Sequence, residues 1–151
     1  MASLNDLFPE KKSSRPKPPA WNGVGDEHIG VITEEPYVEA EVEVNGSWEP
    51  LFIEKQVNGT WKRKIQSNLT EGSDRIALEQ IVVPVRLLAT GEMSTFFYGG
   101  SEKKDELQRA MKESGVALVP GVAIKQKLVS TTAGKNGKGR IWETKISAPR
   151  S

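Results

Sequence analysis

The sequence predicts a mainly β domain that carries a single helix. From about residue 29 onwards, several segments have apolar residues at every second position, which is the period of a half-buried strand. Asn-Gly and other glycine-containing turns separate these segments. Residues 102–114 alone have the spacing of an amphipathic helix, and Gly115, a typical helix stop, follows them.

A short internal repeat marks two successive hairpins. Val44-Asn-Gly-Ser-Trp48 recurs as Val57-Asn-Gly-Thr-Trp61, and Asn-Gly can take the two positive φ angles that a type I′ turn requires. Valine and glutamate alternate just before the repeat, at residues 38–44. The repeat therefore predicts a three-stranded meander at about 37–44, 47–57 and 60–66.

Four further strands follow the meander. The first is long, at residues 76–88, and contains Pro84, which cannot donate a ladder hydrogen bond and so predicts a bulge or an edge position. A short aromatic strand at 94–98 precedes the helix, and strands at about 122–132 and 140–147 come after it.

This order of elements favours an OB-fold. A helix between the third and fourth of five strands is the OB-fold order, although a generic α+β sheet satisfies the same pattern. We expect a five-stranded barrel at residues 23–148, with the meander inserted at about 37–66 between its first and second strands. Residues 1–22, rich in Pro, Ser and charge, are expected to form a disordered N-terminal tail.

Composition argues against several classes of function. The chain has 151 residues and no cysteine, which excludes disulfides, thiolate zinc sites and cysteine nucleophiles. There is neither a membrane-length apolar run nor a secretory signal, so we expect a cytoplasmic protein with no membrane association. His28 is the only histidine, and residues 134–139 lack the spacing of a P-loop. We expect no enzyme activity, no cofactor and no metal.

Charge is distributed unevenly although the net charge is only +1. Residues 26–54 contain nine acidic residues and no Lys or Arg, whereas residues 55–70 contain four basic residues and no acid. Residues 122–151 contain seven basic residues against Glu143. Because acids repel phosphate, we expect the acidic stretch to lie on the far side of the barrel from the basic segments, or at a protein contact.

Basic and aromatic residues alternate closely in two places. Trp61-Lys-Arg-Lys64 follows the second hairpin turn, and Arg140-Ile-Trp142 follows the loop at 134–139. Cations that follow the backbone and rings that stack on bases are what single-strand binding requires. In an OB-fold both places would lie beside the ligand surface. We therefore predict non-sequence-specific binding of single-stranded DNA, with stacking by Trp61, Tyr98 and Trp142 and phosphate neutralisation by Lys62, Arg63, Lys64, Arg86, Lys135, Lys138 and Arg140.

Two other classes of function fit the sequence. The meander and the acidic stretch suit a protein-interaction or virion-assembly β-domain with no role in nucleic-acid binding. An enzyme, or an inhibitor of a nucleic-acid enzyme, is the third class, although no set of catalytic residues supports an enzyme.

The chain also resembles a known family over about residues 29–147. The matching runs are Gly30-Val-Ile-Thr33, Gln80-Ile-Val-Val-Pro-Val-Arg86, Thr95-Phe-Phe-Tyr-Gly-Gly100, the helix with Leu107, Ala110 and Met111, Gly115, Pro120-Gly121 and Gly139-Arg-Ile-Trp142. In these runs it is similar to small phage-encoded single-stranded-DNA-binding proteins of the OB-fold type, especially those of phages of actinobacteria. The resemblance implies protection of replication or recombination intermediates in the host cytoplasm, without a cofactor. A homo-oligomer fits this role, and the sequence leaves the oligomeric state open.

The resemblance also bears on partners. The better-known bacterial proteins with this role end in an acidic tip that recruits partners, whereas this sequence ends Ser147-Ala-Pro-Arg-Ser151. The N-terminal run Leu4-Asn-Asp-Leu-Phe8 resembles the start of the phage proteins. We therefore expect any replication or recombination partner to dock on Leu4, Leu7 and Phe8.

Overall fold

The computed structural model describes residues 4–12, 15–99, 101–130 and 141–148 of the chain. Its class is mainly β with one α-helix and antiparallel sheets, as the sequence predicts. In chain order the elements are a 3₁₀ helix (Leu4–Leu7), β1 (Glu27–Ile32), β2 (Tyr37–Glu39), β3 (Glu41–Val44), β4 (Ser47–Lys55), β5 (Trp61–Ile65), β6 (Arg75–Ala77), β7 (Gln80–Leu87), β8 (Met93–Tyr98), α1 (Ser101–Ser114), β9 (Ala123–Ser130) and β10 (Ile141–Ser147).

The larger sheet has six strands in the order β10-β9-β1-β7-β2, with β8 also paired to β7. Along one edge of β7, β1 pairs with residues 85–87 and β2 with residues 80–82. Along the other edge β8 pairs with residues 81–86. The strand expected at 76–88 is divided, because residues 75–77 form β6 and belong to the smaller sheet.

Pro84 lies in β7 opposite the break between β1 and β2, the two strands that pair with this edge of β7. Thr33, in the break between β1 and β2, donates its N–H to the Pro84 oxygen at 3.0 Å. Since the N and O of one residue in an antiparallel strand point to the same side, the N–H that Pro84 lacks would also face this break, and the bond that proline removes is the return bond to Thr33, beyond the end of β1. The expected bulge or edge strand is therefore wrong, because β7 is a central strand with a discontinuous neighbour.

No ladder joins β8 to β10 among the described residues, so the expected closed barrel is not formed. The helix covers the edge of β10 instead. Glu106 accepts the Thr144 N–H at 2.8 Å, and Arg109 donates to the Thr144 oxygen at 3.2 Å. The Tyr98 hydroxyl lies 3.2 Å from the Thr144 hydroxyl oxygen. Side chains of α1 and β8 thus satisfy an edge strand that would otherwise stay open.

The hydrophobic core lies between the inner face of the larger sheet and α1. The helix begins at Ser101 and ends before Gly115, whose φ of 67° follows the expected stop signal. Gly30 lets β1 approach β7 closely, because a Cβ there would lie 2.6 Å from the Val85 Cβ. The core residues are Leu4, Ile32, Val38, Ile81, Val83, Val85, Phe96, Tyr98, Leu107, Ala110, Leu118, Val122, Ile124 and Ile146.

The predicted meander contributes three strands to a smaller four-stranded sheet, in which β4 pairs with β3, β5 and β6. Its first strand, expected at 37–44, is divided, because residues 37–39 form β2 of the larger sheet. Asn45 and Gly46 both have positive φ, at 50° and 85°, as a type I′ turn requires. In the second hairpin only Gly59 has positive φ, so the type I′ prediction is wrong there. The Asn58 side chain accepts the Thr60 N–H at 3.1 Å and thereby holds a three-residue loop.

The N-terminal segment is packed on the domain, so the expected disordered tail at 1–22 is wrong for residues 4–12 and 15–22. Leu4 is 6% exposed and belongs to the core, and Phe8 packs against it. The Val38 N–H donates to the Pro9 oxygen at 2.7 Å, and the Lys11 N–H donates to the Val38 oxygen at 2.9 Å. The proposed docking cluster is also corrected, because only Leu7 of its three apolar residues is exposed.

Candidate nucleic-acid interface

Strand β5 carries the basic and aromatic cluster that the sequence singles out. All five of its residues are exposed, and Trp61 retains 40% of its accessible surface. Because side chains alternate along a strand, Trp61 and Arg63 lie on one face and Lys62 and Lys64 on the other. The strand contains three basic residues and no acid, and its only neighbour among the described residues is β4.

Arg63 connects β5 to the larger sheet. It donates to the Gln80 Oε1 atom at 3.2 Å, and Gln80 in turn donates to Glu39 Oε1 at 2.8 Å. Arg15 donates to the same Glu39 oxygen at 3.0 Å. Glu39 is only 1% exposed, so this carboxylate is shared between β2, β7 and the N-terminal segment rather than open to solvent.

This network holds more positive than negative charge. Partial burial is the main cause that lowers the pKa of Arg63, and the nearby charge of Arg15 lowers it further, while Glu39 opposes both. Two guanidinium groups thus lie near one carboxylate. Such an arrangement attracts a further anion, and phosphate suits guanidinium geometry well.

Phe97 lies on the outer face of β8, opposite to the core residues Phe96 and Tyr98. Its ring is half-buried, and the Arg15 guanidinium carbon lies 4.5 Å from the ring centroid. That distance is typical of a cation–π contact. The prediction had placed Tyr98 rather than Phe97 towards the ligand.

Tyr98 is a correction to the predicted site. It is 0% exposed and its hydroxyl lies against Thr144, so its ring offers no face for a base to stack on. Burial raises the pKa of Tyr98 well above its usual value, as expected for a phenol surrounded by core residues. The prediction that Tyr98 stacks on a base took the inward face of β8 as the outward one.

Trp142 is half-buried and its ring is already contacted by other side chains. The Lys103 ammonium lies 4.0 Å from the ring centroid, and Trp21 packs edge-on at 4.7 Å. Lys103 also donates to the Phe97 carbonyl oxygen at 3.0 Å. The cleft beside this ring has three acids, Glu102, Asp105 and Glu106, against two bases, Lys103 and Arg109, which makes it a poorer place for phosphate than β5.

Of the other predicted residues, only Arg86 is described, and it lies apart from β5. Arg86 is exposed on the outer face of β7, but six positions from Gln80, about 20 Å along the strand. Lys135, Lys138 and Arg140 fall outside the described residues. The predicted convergence of the two loops on one groove thus stays a prediction.

The acidic stretch lies closer to the basic residues than the sequence suggested. Glu39 contacts Arg15, and Glu54 on β4 pairs with Arg75 at 2.7 Å, which lowers the pKa of Glu54. Glu41 pairs with Lys12. The expectation of the far side is wrong for Glu54, which lies directly opposite Lys62, and for Glu39, which is linked to Arg63 through Gln80, while the alternative of a protein contact stays a prediction.

Sequence reasoning missed Arg15, Lys103 and Phe97. Arg15 lies in a segment whose composition is typical of disorder. Lys103 lies in the first turn of α1, where the charged residues of the sequence indicate only a face exposed to solvent. Phe97 carried a usable signal, because alternation places it opposite Phe96 and Tyr98. Nothing in the local pattern shows which of the two faces is covered by the core.

Comparison with protein-family models, curated proteins and solved structures gave no match to this chain. In the part of the chain that the structure describes, no helix has both the length and the apolar composition needed to cross a membrane. In that same part, no three His, Asp or Glu side chains are grouped as a metal site would require.

Proposed function

We propose that the protein binds single-stranded DNA without sequence specificity, with β5 as the primary contact. The observation that carries this proposal is a strand whose five residues are all exposed and that contains one indole, three cations and no acid. Trp61 would stack on a base, and Lys62, Arg63 and Lys64 would neutralise phosphates. Stacking on an aromatic side chain contributes about 1–3 kcal/mol per base and tolerates any sequence.

The strand order supports an open relative of the OB-fold. Adjacent strands β10, β9, β1, β7 and β8 follow the neighbour order of a five-stranded OB sheet, with α1 between the third and fourth strands in sequence. The closing ladder between β8 and β10 is replaced by the side chains around Thr144. We propose the OB relation on this order of strands, with the smaller sheet as an insertion.

The biological role that we propose is protection of single-stranded replication or recombination intermediates in the cytoplasm. It rests on binding through the DNA backbone and the faces of the bases, both of which every sequence presents. This chemistry suits a protein that coats a strand and does not select a site.

Titration of intrinsic tryptophan fluorescence with oligo-dT at several salt concentrations tests the proposal. We expect quenching, and an affinity that falls with salt with a log–log slope of about −0.7 per neutralised phosphate. Trp61→Ala should weaken binding and leave that slope nearly unchanged. The double variant Lys62→Ala/Lys64→Ala should reduce the slope by about 1.4, because two phosphate contacts are lost.

Two control variants separate these effects from the loss of exposed apolar surface or positive charge outside β5. Val57→Ala removes exposed apolar surface at the neighbouring turn, and Lys112→Ala removes an exposed cation from the end of α1. Neither should alter binding. Equal affinities of the parent, the Trp61 variant and the double lysine variant for oligo-dT would show that β5 is not the binding surface.

A protein-interaction domain is the second candidate, and one observation favours it. The outer edge of β5 pairs with no strand among the described residues, and such an edge can accept an extended peptide. The mass measured by gel filtration with and without oligo-dT distinguishes the two. A mass that rises only in the presence of oligo-dT supports the first candidate, and one that depends on a protein partner alone supports the second.

A further inference from the structure

A proline-rich part of the N-terminal segment crosses the outer face of the larger sheet. We call residues 9–12 and 15–19 the strap. It begins along β2, where Glu10 bridges to Val38, and reaches β8, where the Thr95 hydroxyl donates to the Pro16 oxygen at 2.8 Å. The Ser94 hydroxyl donates to the Lys17 oxygen at 2.9 Å. The described parts of the strap thus contact β2 at one end and β8 at the other, on either side of β7.

The face under the strap carries a row of two rings. Tyr37 on β2 lies directly opposite Val82 on β7, and Val82 lies directly opposite Phe97 on β8. Neighbouring strands are about 4.8 Å apart, so the two rings are anchored about 10 Å apart. Val82 is completely buried although it points away from the core, which indicates that the strap covers this row.

Each ring in the row is contacted by a cation of the strap. Lys11 lies 5.5 Å from the centroid of Tyr37, and Arg15 lies 4.5 Å from the centroid of Phe97. The remaining polar contacts of the strap use mainly carbonyl oxygens, because its prolines have no N–H to donate. Water can replace the hydroxyl donors at Pro16 and Lys17, whereas the Arg15 ion pair with the nearly buried Glu39 is the contact whose loss should loosen the strap most.

The network at Glu39 connects this face to the proposed DNA contact. Arg63 of β5 bonds Gln80, Gln80 bonds Glu39, and Glu39 holds Arg15 of the strap. A strand of DNA that leaves β5 past Arg63 therefore arrives at the Arg15 end of the strap.

We propose that the strap is an internal competitor of single-stranded DNA, with Lys11 and Arg15 occupying the rings on which bases stack once the strap is displaced. This inference rests on the function proposed above. A closed strap lowers the apparent affinity by the fraction of molecules that are open. Loosening the strap should consequently strengthen DNA binding, even when the change removes a positive charge.

The test compares three variants of the full chain by fluorescence anisotropy with labelled oligo-dT of about 16 nucleotides, the upper end of the site size of one OB-type domain. Arg15→Ala removes a cation–π contact and an ion pair, and should raise the affinity by roughly tenfold, which corresponds to about 1.4 kcal/mol. Thr95→Val removes one hydrogen bond to the strap without a change of charge, and should raise the affinity by a few-fold. Lys17→Ala is the control, because it removes an exposed charge of the strap and keeps the Lys17 carbonyl contact.

The direction of the change decides the outcome. If Arg15→Ala and Thr95→Val strengthen binding while Lys17→Ala leaves it unchanged or slightly weaker, the strap competes with DNA. If Arg15→Ala weakens binding as Lys17→Ala does and Thr95→Val has no effect, Arg15 is an ordinary phosphate contact and the inference is wrong. Should the Arg15 variant fail to fold, the uncharged Thr95 variant decides alone. If neither the parent nor any variant binds oligo-dT, the proposed function itself fails.

Discussion

In a closed barrel a ladder would join β8 to β10. Replacing Glu106 by alanine tests the side-chain contact with β10 that takes the place of that ladder. Glu106 on α1 accepts the Thr144 N–H of β10 at 2.8 Å and receives Arg109 through both of its carboxylate oxygens, at 2.6 and 2.8 Å. Thr144 is completely buried. In Glu106→Ala its N–H would lose its partner at a position that water reaches poorly.

The structure sets the size of the expected effect. A buried donor left without an acceptor costs about 1–3 kcal/mol, so we expect the free energy of unfolding to fall by about 2 kcal/mol. For a domain of this length, this corresponds to a decrease in Tm of about 4–8 °C. Arg109 adds little to the effect, because it is exposed to water and keeps its contact with Glu113.

Thermal and urea unfolding, followed by circular dichroism, measure the effect. Glu113→Ala is the matched control, since it removes a carboxylate from the same helix and the same arginine but leaves Thr144 satisfied. We expect that control to unfold almost as the parent does. If Glu106→Ala is no less stable than Glu113→Ala, the hydrogen bond from Thr144 to Glu106 does not stabilise β10, and the proposed role of this contact is refuted.

The same contact depends on pH in a known direction. The hydrogen bond from Arg109, followed by that from the Thr144 N–H, lowers the pKa of Glu106 although partial burial opposes them. A carboxyl with a lowered folded-state pKa stabilises the fold above its ordinary pKa, and the stabilisation is lost as the pH falls towards the folded value. The difference in stability between the parent and Glu106→Gln should be constant near neutral pH and shrink below about pH 4.

Two further predictions concern the core. Gly30→Ala should destabilise the fold by about 1–3 kcal/mol because its Cβ would overlap Val85, whereas Gly72→Ala, which meets nothing within 4 Å, should not. In urea unfolding Gly30→Ala should cost less when Val85 is already alanine, and an equal cost in both backgrounds would contradict the clash. Since burial raises the pKa of Tyr98, its contribution to stability should be lost as the pH rises above about 10, the value in the unfolded chain. Urea unfolding across that range should show a smaller loss for Tyr98→Phe, and identical pH profiles would contradict this assignment.

Features that depend on neighbouring residues could be predicted closely from the sequence. The type I′ turn at Asn45 and Gly46 follows from the φ angles that these two residues tolerate. The helix was expected at 102–114 and spans 101–114, because Gly115 ends it. The second turn was predicted less well, because the Asn58 side chain bonds Thr60 and changes the turn type.

The candidate site was predicted only in part. Strand β5 and its exposed basic residues follow from alternation and charge, which are local properties. The choice between Phe97 and Tyr98 as the outward ring does not, because both faces of β8 are aromatic and only the position of the core decides between them. Arg15 is even less predictable, because its role depends on contacts with Glu39 and Phe97, which are distant in the sequence.

By itself the sequence determined the mainly β class, the bounds of the single helix and the first hairpin turn. Each of these depends on the period of the side chains or on the φ preference of a few adjacent residues. Only the tertiary structure decided that no ladder joins β8 to β10 in the described part of the chain. It also decided that the N-terminal segment contacts the rings of Tyr37 and Phe97, and that Tyr98 is buried. These features depend on which distant segments pack together, and a local pattern holds no information about its partner.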